Sequence, residues 1–144
     1  MTNLARLSSC AIVFVTADVR KTSVFYRDVL GFQAVEHFDH AEPFAAMYRG
    51  GVEIVLVQAS FGQVRSNQAT YGAGFDAYLV VNDVEQDVDA LCAEFRERGA
   101  QIIEMPAMSP YGNYQFVVAD CDGRWLAVGK IREEDVFFKD QRPV

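Results

Sequence analysis

Val15-Thr16-Ala17-Asp18-Val19 leads through Phe25, Tyr26 and Leu30 to Gly31-Phe32-Gln33, and a second stretch repeats the pattern. There Val81-Asn82-Asp83-Val84 leads through Leu91, Cys92 and Phe95 to Gly99-Ala100-Gln101. Each copy reads as a strand ending at Asp, a helix of about a dozen residues, and a Gly at the helix exit. The Asp carboxylate can accept from the orphan N–H groups of the helix's first turn, and Gly suits the left-handed conformation in which helices often end. Self-similarity at this scale marks a module built twice, with a cavity expected where the halves meet.

Working outward, Cys10 to Val15 is a short β-branched run and predicts a buried strand. Val19, Tyr26, Val29 and Leu30 fall on one helical stripe. Strands are expected over Phe32 to Phe38, Phe44 to Tyr48 and Val52 to Gln58, the last two joined by a tight Gly50-Gly51 connection. Residues 59–74 show no period and read as a loop joining the modules, long enough that a lid is the other reading. The order then repeats: a strand over Phe75 to Val81, a helix with the stripe Val84, Val88, Leu91, Cys92 and Phe95, and a strand from Gln101 to Met105 ended by Pro106. After a turn-rich loop, Tyr114 to Ala119 and Arg124 to Gly129 are the last strands, joined by Asp120-Cys121-Asp122-Gly123. The fold class is therefore α+β, with two βαβββ modules at 8–58 and 75–130, a connecting loop at 59–74 and a charged tail at 131–144, all within one domain spanning 1–144. Val136-Phe137-Phe138 in that tail should find cover on its own domain or on a partner.

At 144 residues and 51% apolar content the chain has material for one core without disulfide staples. Three cysteines, Cys10, Cys92 and Cys121, form no metal-type spacing, and their odd number argues against a disulfide framework. The apolar runs are far shorter than the roughly 18–20 residues that span a bilayer, and the first residues lack the apolar core of a signal peptide. A cytoplasmic location is expected. A net charge of −7 disfavours nucleic acid and anionic membrane, whose recognition rests on Lys and Arg clusters.

Three features together resemble the vicinal oxygen chelate superfamily of glyoxalases, extradiol dioxygenases and bleomycin-resistance proteins. The first is Val15-Thr16-Ala17-Asp18 followed by Phe25-Tyr26 and Leu30-Gly31-Phe32; the second is Val80 to Val84 leading to Gly99-Ala100. The third is Tyr111-Gly112 and then Asp120-Cys121-Asp122-Gly123, similar to the family's terminal DPDG turn with Cys121 in place of Pro. The resemblance implies a half-open, barrel-like cup built from the two modules and often completed in a homodimer. It also implies four side-chain positions that hold a divalent ion in metal-using members. Counted from the motifs, these are Ala11, Val55 (with Glu53 on the same face), Asp76 and Ala127. Two alanines and a valine offer no lone pair, and a slip of one residue brings in only Cys10 as a possible ligand. His37 and His40 read as exposed edge-strand residues. No metal or other cofactor is expected.

Strand alternation assigns the faces. Ile12, Phe14, Ile54, Leu56, Ala77, Leu79, Val81, Leu126 and Val128 should lie under the helices. The cup wall should carry Val13 and Val15, Glu53, Val55 and Val57, Asp76, Tyr78 and Val80, and Trp125 and Ala127. Tyr114 and Phe116, or their alternates Gln115 and Val117, complete it. The candidate ligand-binding residues are thus Glu53, Asp76, Tyr78, Trp125, Tyr114 and Phe116, an apolar wall with a few polar groups to orient an organic molecule. Trp125 also reads as core, and Glu53 as reaching solvent, the reading that each favours on its own. The leading expectation is a metal-independent, homodimeric binding protein of the bleomycin-resistance type that sequesters a compact, aromatic or cationic ligand. One rival is a lyase, isomerase or dioxygenase using an ion on unusual ligands such as Glu53, Asp76 and His37. The other is a dimeric interaction module whose cup has closed.

Overall fold

The computed structural model describes residues 4–132; the tail with Val136-Phe137-Phe138 lies outside them. The first module runs β1 (Ile12–Thr16), α1 (Val19–Asp28), β2 (Gln33–His37), β3 (Phe44–Arg49) and β4 (Val52–Gln58). A short helix, α2 (Asn67–Tyr71), interrupts the connecting segment. The second module runs β5 (Ala77–Val80), α3 (Val84–Glu97), β6 (Gln101–Met108), β7 (Asn113–Ala119) and β8 (Trp125–Ile131). The strands form two four-stranded mixed sheets of equivalent order, β1-β4-β3-β2 and β5-β8-β7-β6, and no barrel closes. In each, the first and last strands of the module are parallel and the other pairs antiparallel.

The repeated motif does the local work its chemistry suggests. Asp18 accepts from the Lys21 N–H, and Asp83 from those of Glu85 and Gln86, so each helix start has a carboxylate on its orphan donors. Gly31 has φ 71°, a conformation that strains any L side chain, and a Cβ there would also push on the Arg49 guanidinium 2.5 Å away.

Two expectations change. The connecting segment is not wholly loop: Ser66 caps α2 by accepting from the Ala69 N–H, and Gly72 ends it with φ 67°. Pro106 does not end β6, which continues to Met108. β6 is a sheet edge, where a missing N–H leaves no ladder bond unmade, and its pairing with β7 shifts register between Ile102 and Glu104 and again between Glu104 and Ala107.

The helix-covered faces of both sheets meet in one core. Phe14, Tyr26, Ile54 and Leu56 belong to the same buried cluster as Leu79, Val88, Phe95, Phe116 and Leu126. Two arginines tie the modules across this core. Arg124, in the β7–β8 turn, donates to the Val15 carbonyl of β1 and to Asp120 and Asp122, and lies 4.6 Å from the Phe14 ring centroid. Arg49, at the β3–β4 turn, makes a two-pronged pair with Glu94 of α3 at 2.7 and 2.9 Å. The outer faces stay open: Val13, Val15 and Val80 are 61%, 53% and 63% exposed. Among the described residues no helix is long and apolar enough to cross a membrane.

Candidate functional site

The open face of the second sheet holds a cleft of about 660 Å³. Its floor is Tyr78 of β5 and Gln115 of β7, and β6 with the loop after it supplies Glu104, Met105, Met108 and Tyr111. Phe75, just before β5, closes one side, with its ring centroid 6.4 Å from that of Tyr78. A polar chain crosses this floor. The Asn113 amide donates to the Tyr78 hydroxyl at 2.8 Å, and that hydroxyl donates to Gln115 Oε1 at 2.9 Å. Burial pushes the Tyr78 phenol above its ordinary range, partly opposed by the Asn113 bond, so it is neutral at physiological pH.

A second cleft, of about 310 Å³, lies along β1. Val13, Val15, Asp76 and the segment from Ala59 to Arg65 line it, and it shares no residue with the first. Asp76 precedes the first residue of β5, so strand alternation does not carry to it and it does not join Tyr78. Its carboxylate accepts from the Trp125 N–H at 2.8 Å and from the Asn67 N–H at 2.9 Å. Those bonds tie the start of β8 and the first residue of α2 to the approach of β5.

The remaining sequence candidates are dispersed. Glu53 is half-buried on β4 of the other sheet, 3.4 Å from the Tyr48 hydroxyl. Trp125 opens β8, and its side chain lines neither cleft. Tyr114 donates to Asp89 of α3 at 2.7 Å, and Phe116 is fully buried with its centroid 5.9 Å from that of Phe95. Both therefore lie on the helix side, and the alternate pair takes the other face, Gln115 in the cleft and Val117 opposite Ala127. Glu104, Met105, Met108, Tyr111 and Phe75 did not emerge from the sequence. For Met108 the signal is the strand continuing past Pro106; the register shifts in β6 break the alternation that would have assigned Glu104 and Met105.

The positions that the family resemblance assigns to a metal do not fit one. Ala11, Val55 and Ala127 carry no donor atom, and both oxygens of Asp76 already accept backbone N–H groups. Among the described residues no three of His, Cys, Asp and Glu converge in a cluster able to hold an ion. His37 instead stacks on Phe44, centroid to centroid at 4.6 Å.

Two modules of one topology, an Asp-capped helix in each and an open concave face define a class, and sequence comparison agrees. The chain belongs to the Glyoxalase/Bleomycin resistance protein/Dioxygenase superfamily, whose model matches residues 7–128. Its fold is shared with a glyoxylase/bleomycin resistance protein/dioxygenase domain from Frankia sp. EAN1pec: 21% identity, TM-score 0.68, covering 90% of this chain and 100% of that one. It is shared also with the fosfomycin resistance protein FosX from Listeria monocytogenes: 15% identity, TM-score 0.64, covering 93% and 98%. A third likeness is a glyoxalase/bleomycin resistance protein/dioxygenase from Nocardioides: 19% identity, TM-score 0.63, covering 88% and 85%. No curated protein matches the chain.

Proposed function

We propose that this protein binds a compact organic molecule, aromatic or cationic, in the cleft on the second sheet, with no metal ion at the family's usual positions. The observation that carries the reading is the lining of that cleft. Rings of Phe75, Tyr78 and Tyr111 and the thioethers of Met105 and Met108 surround a few polar groups, which is how organic-ligand sites are built. The mechanism is burial and stacking. Tyr78 is fixed by hydrogen bonds at its hydroxyl, so its ring is held in place before the ligand arrives and little side-chain entropy is lost on binding. A second copy of the chain covering the open faces completes the cup in this reading. Support comes from the exposed β-branched residues Val13, Val15 and Val80 there, since exposed apolar patches of this kind mark interaction sites.

The test pairs elemental analysis of the purified protein with a thermal-shift screen of small aromatic and cationic compounds. The expected outcome is no stoichiometric metal, and hits whose stabilisation is reduced at least tenfold in apparent affinity by Tyr78→Ala, about the worth of one aromatic stacking contact. Stoichiometric metal that disappears in Asp76→Ala would sink the proposal.

A further inference from the structure

Glu104 is the single charged side chain that lines the large cleft. It is exposed on the edge strand and has no hydrogen bond or ion pair among the described residues. The rings of Phe75, Tyr78 and Tyr111 and the side chains of Met105 and Met108 line the same cleft. We propose that this arrangement makes the cleft a receptor for an alkylated ammonium group, with Glu104 as the residue that selects charge. The inference rests on the reading of this cleft as the ligand site.

Each part of the lining favours such a group over its competitors. The negative faces of aromatic rings attract a cation, and they do so most strongly when it is weakly hydrated, as an ammonium wrapped in methyl groups is. Polarizable thioethers pack against those methyl groups without asking for a hydrogen bond. A primary ammonium brings three N–H donors that must each find an acceptor. The Tyr78 hydroxyl already accepts from Asn113 and donates to Gln115 Oε1, so these floor groups are engaged with one another and such donors would have to turn to Glu104 or to water. An alkylated cation leaves no donor stranded. Anions meet Glu104 and a chain of net charge −7, and both repel them, whereas a cation is drawn in by the same field.

Two probes of one shape separate charge from shape: 3-hydroxyphenyltrimethylammonium and its neutral isostere 3-tert-butylphenol, each titrated calorimetrically into the full-length protein. The expected result is a cation bound at least tenfold more tightly than the isostere. In Glu104→Gln the ratio should fall to within about threefold while the affinity for the isostere is unchanged. Tyr78→Ala should weaken both probes. Glu104 is exposed and has no partner among the described residues, so the Gln variant is expected to keep the wild-type melting temperature, and a thermal melt checks this. Equal binding of the two probes by the wild-type protein, or a cation preference that survives Glu104→Gln, overturns the inference and leaves the cleft a ligand site. If neither probe binds at millimolar concentration, the reading of the cleft itself fails.

Discussion

At the scale of the residue, the most consequential side chains are those that join the two modules. Tyr26, from the first copy of the repeat, donates to Asp120 Oδ2 at 2.7 Å, and Asp120 also holds the Arg124 guanidinium at 2.9 Å. Thr22 donates to Asp122 Oδ2 at 2.8 Å in the same group. These contacts connect two of the motifs that mark the family, the Phe-Tyr of α1 and the Asp-x-Asp-Gly turn before β8, as donor and acceptor. Arg124 and Asp120 have side chains only 4% and 0% exposed, so removing Arg124 leaves the buried Asp120 carboxylate without its counter-charge, at a cost of about 3–5 kcal/mol, whereas removing Asp120 leaves Arg124 its pair with Asp122. Tyr26 gives the group a pH signature. Burial, then the neighbouring Asp120 charge and the bond to it, raise its phenol well above the ordinary value of 10.0. Below pH 10 the phenol is neutral in both the folded and unfolded chain, and its contribution to stability is complete. As pH climbs past 10 the unfolded chain releases this proton and the folded one retains it, so stability falls toward the raised folded value. The urea midpoint should therefore drop above about pH 10, and Tyr26→Phe should show a shallower drop from a lower starting stability. A Tyr26→Phe profile parallel to the wild type would remove Tyr26 from this account.

Elements bring their own constraint, clearest on β8. Gly129 sits between Val80 of β5 and Gln115 of β7. A Cβ there would run into the Tyr114 carbonyl oxygen and, at 2.6 Å, the Gln115 Cβ. Gly129→Ala should consequently cost about 1–3 kcal/mol, read as a lowered urea midpoint with unchanged slope, and should disturb Gln115 on the floor of the cleft. A variant as stable as the wild type would show that β7 shifts freely. The same elements explain how far the sequence could be read. Element order, both helices, their Asp caps and the helix-side faces of β1, β4, β5 and β8 followed from period and turn chemistry, and β1, β4 and β5 alternate in burial as that reading requires. β7 did not: Phe116, Val117, Val118 and Ala119 are all buried, so neither face looks different in sequence, and Tyr114 and Phe116 could not be told from Gln115 and Val117. β6 misled for a physical reason as well. Pro106 ends a central strand, but an edge strand tolerates it, and reading it as a stop hid Met108, while the register shifts along β6 hid the face that Glu104 and Met105 take. Tyr78 faces the cleft on the second sheet and Asp76 the one along β1, since only the former lies within β5.

For the whole molecule, the question is what the open faces are for. The helix-side faces are already consumed by the shared core, so the chain cannot roof its own cleft with them. Val13, Val15 and Val80 remain more than half exposed on the outer faces of β1 and β5. In the proposed homodimer the partner covers them, and a stable interface of this sort buries about 800 Å² on each side. Sedimentation equilibrium at micromolar concentration should then give twice the chain mass of 16.1 kDa. Val13→Glu with Val15→Lys should shift the protein toward the single-chain mass without unfolding it, because both positions are already solvent-exposed in the monomer. Ligand binding separates the dimer's two possible roles. If the partner roofs the cleft, dissociation removes one wall, affinity for any cleft ligand falls with the dimer, and the melting temperature rises with protein concentration. A single-chain mass in the wild-type protein, together with ligand affinity independent of protein concentration, would instead make the cleft on β5 to β8 a complete site in one chain.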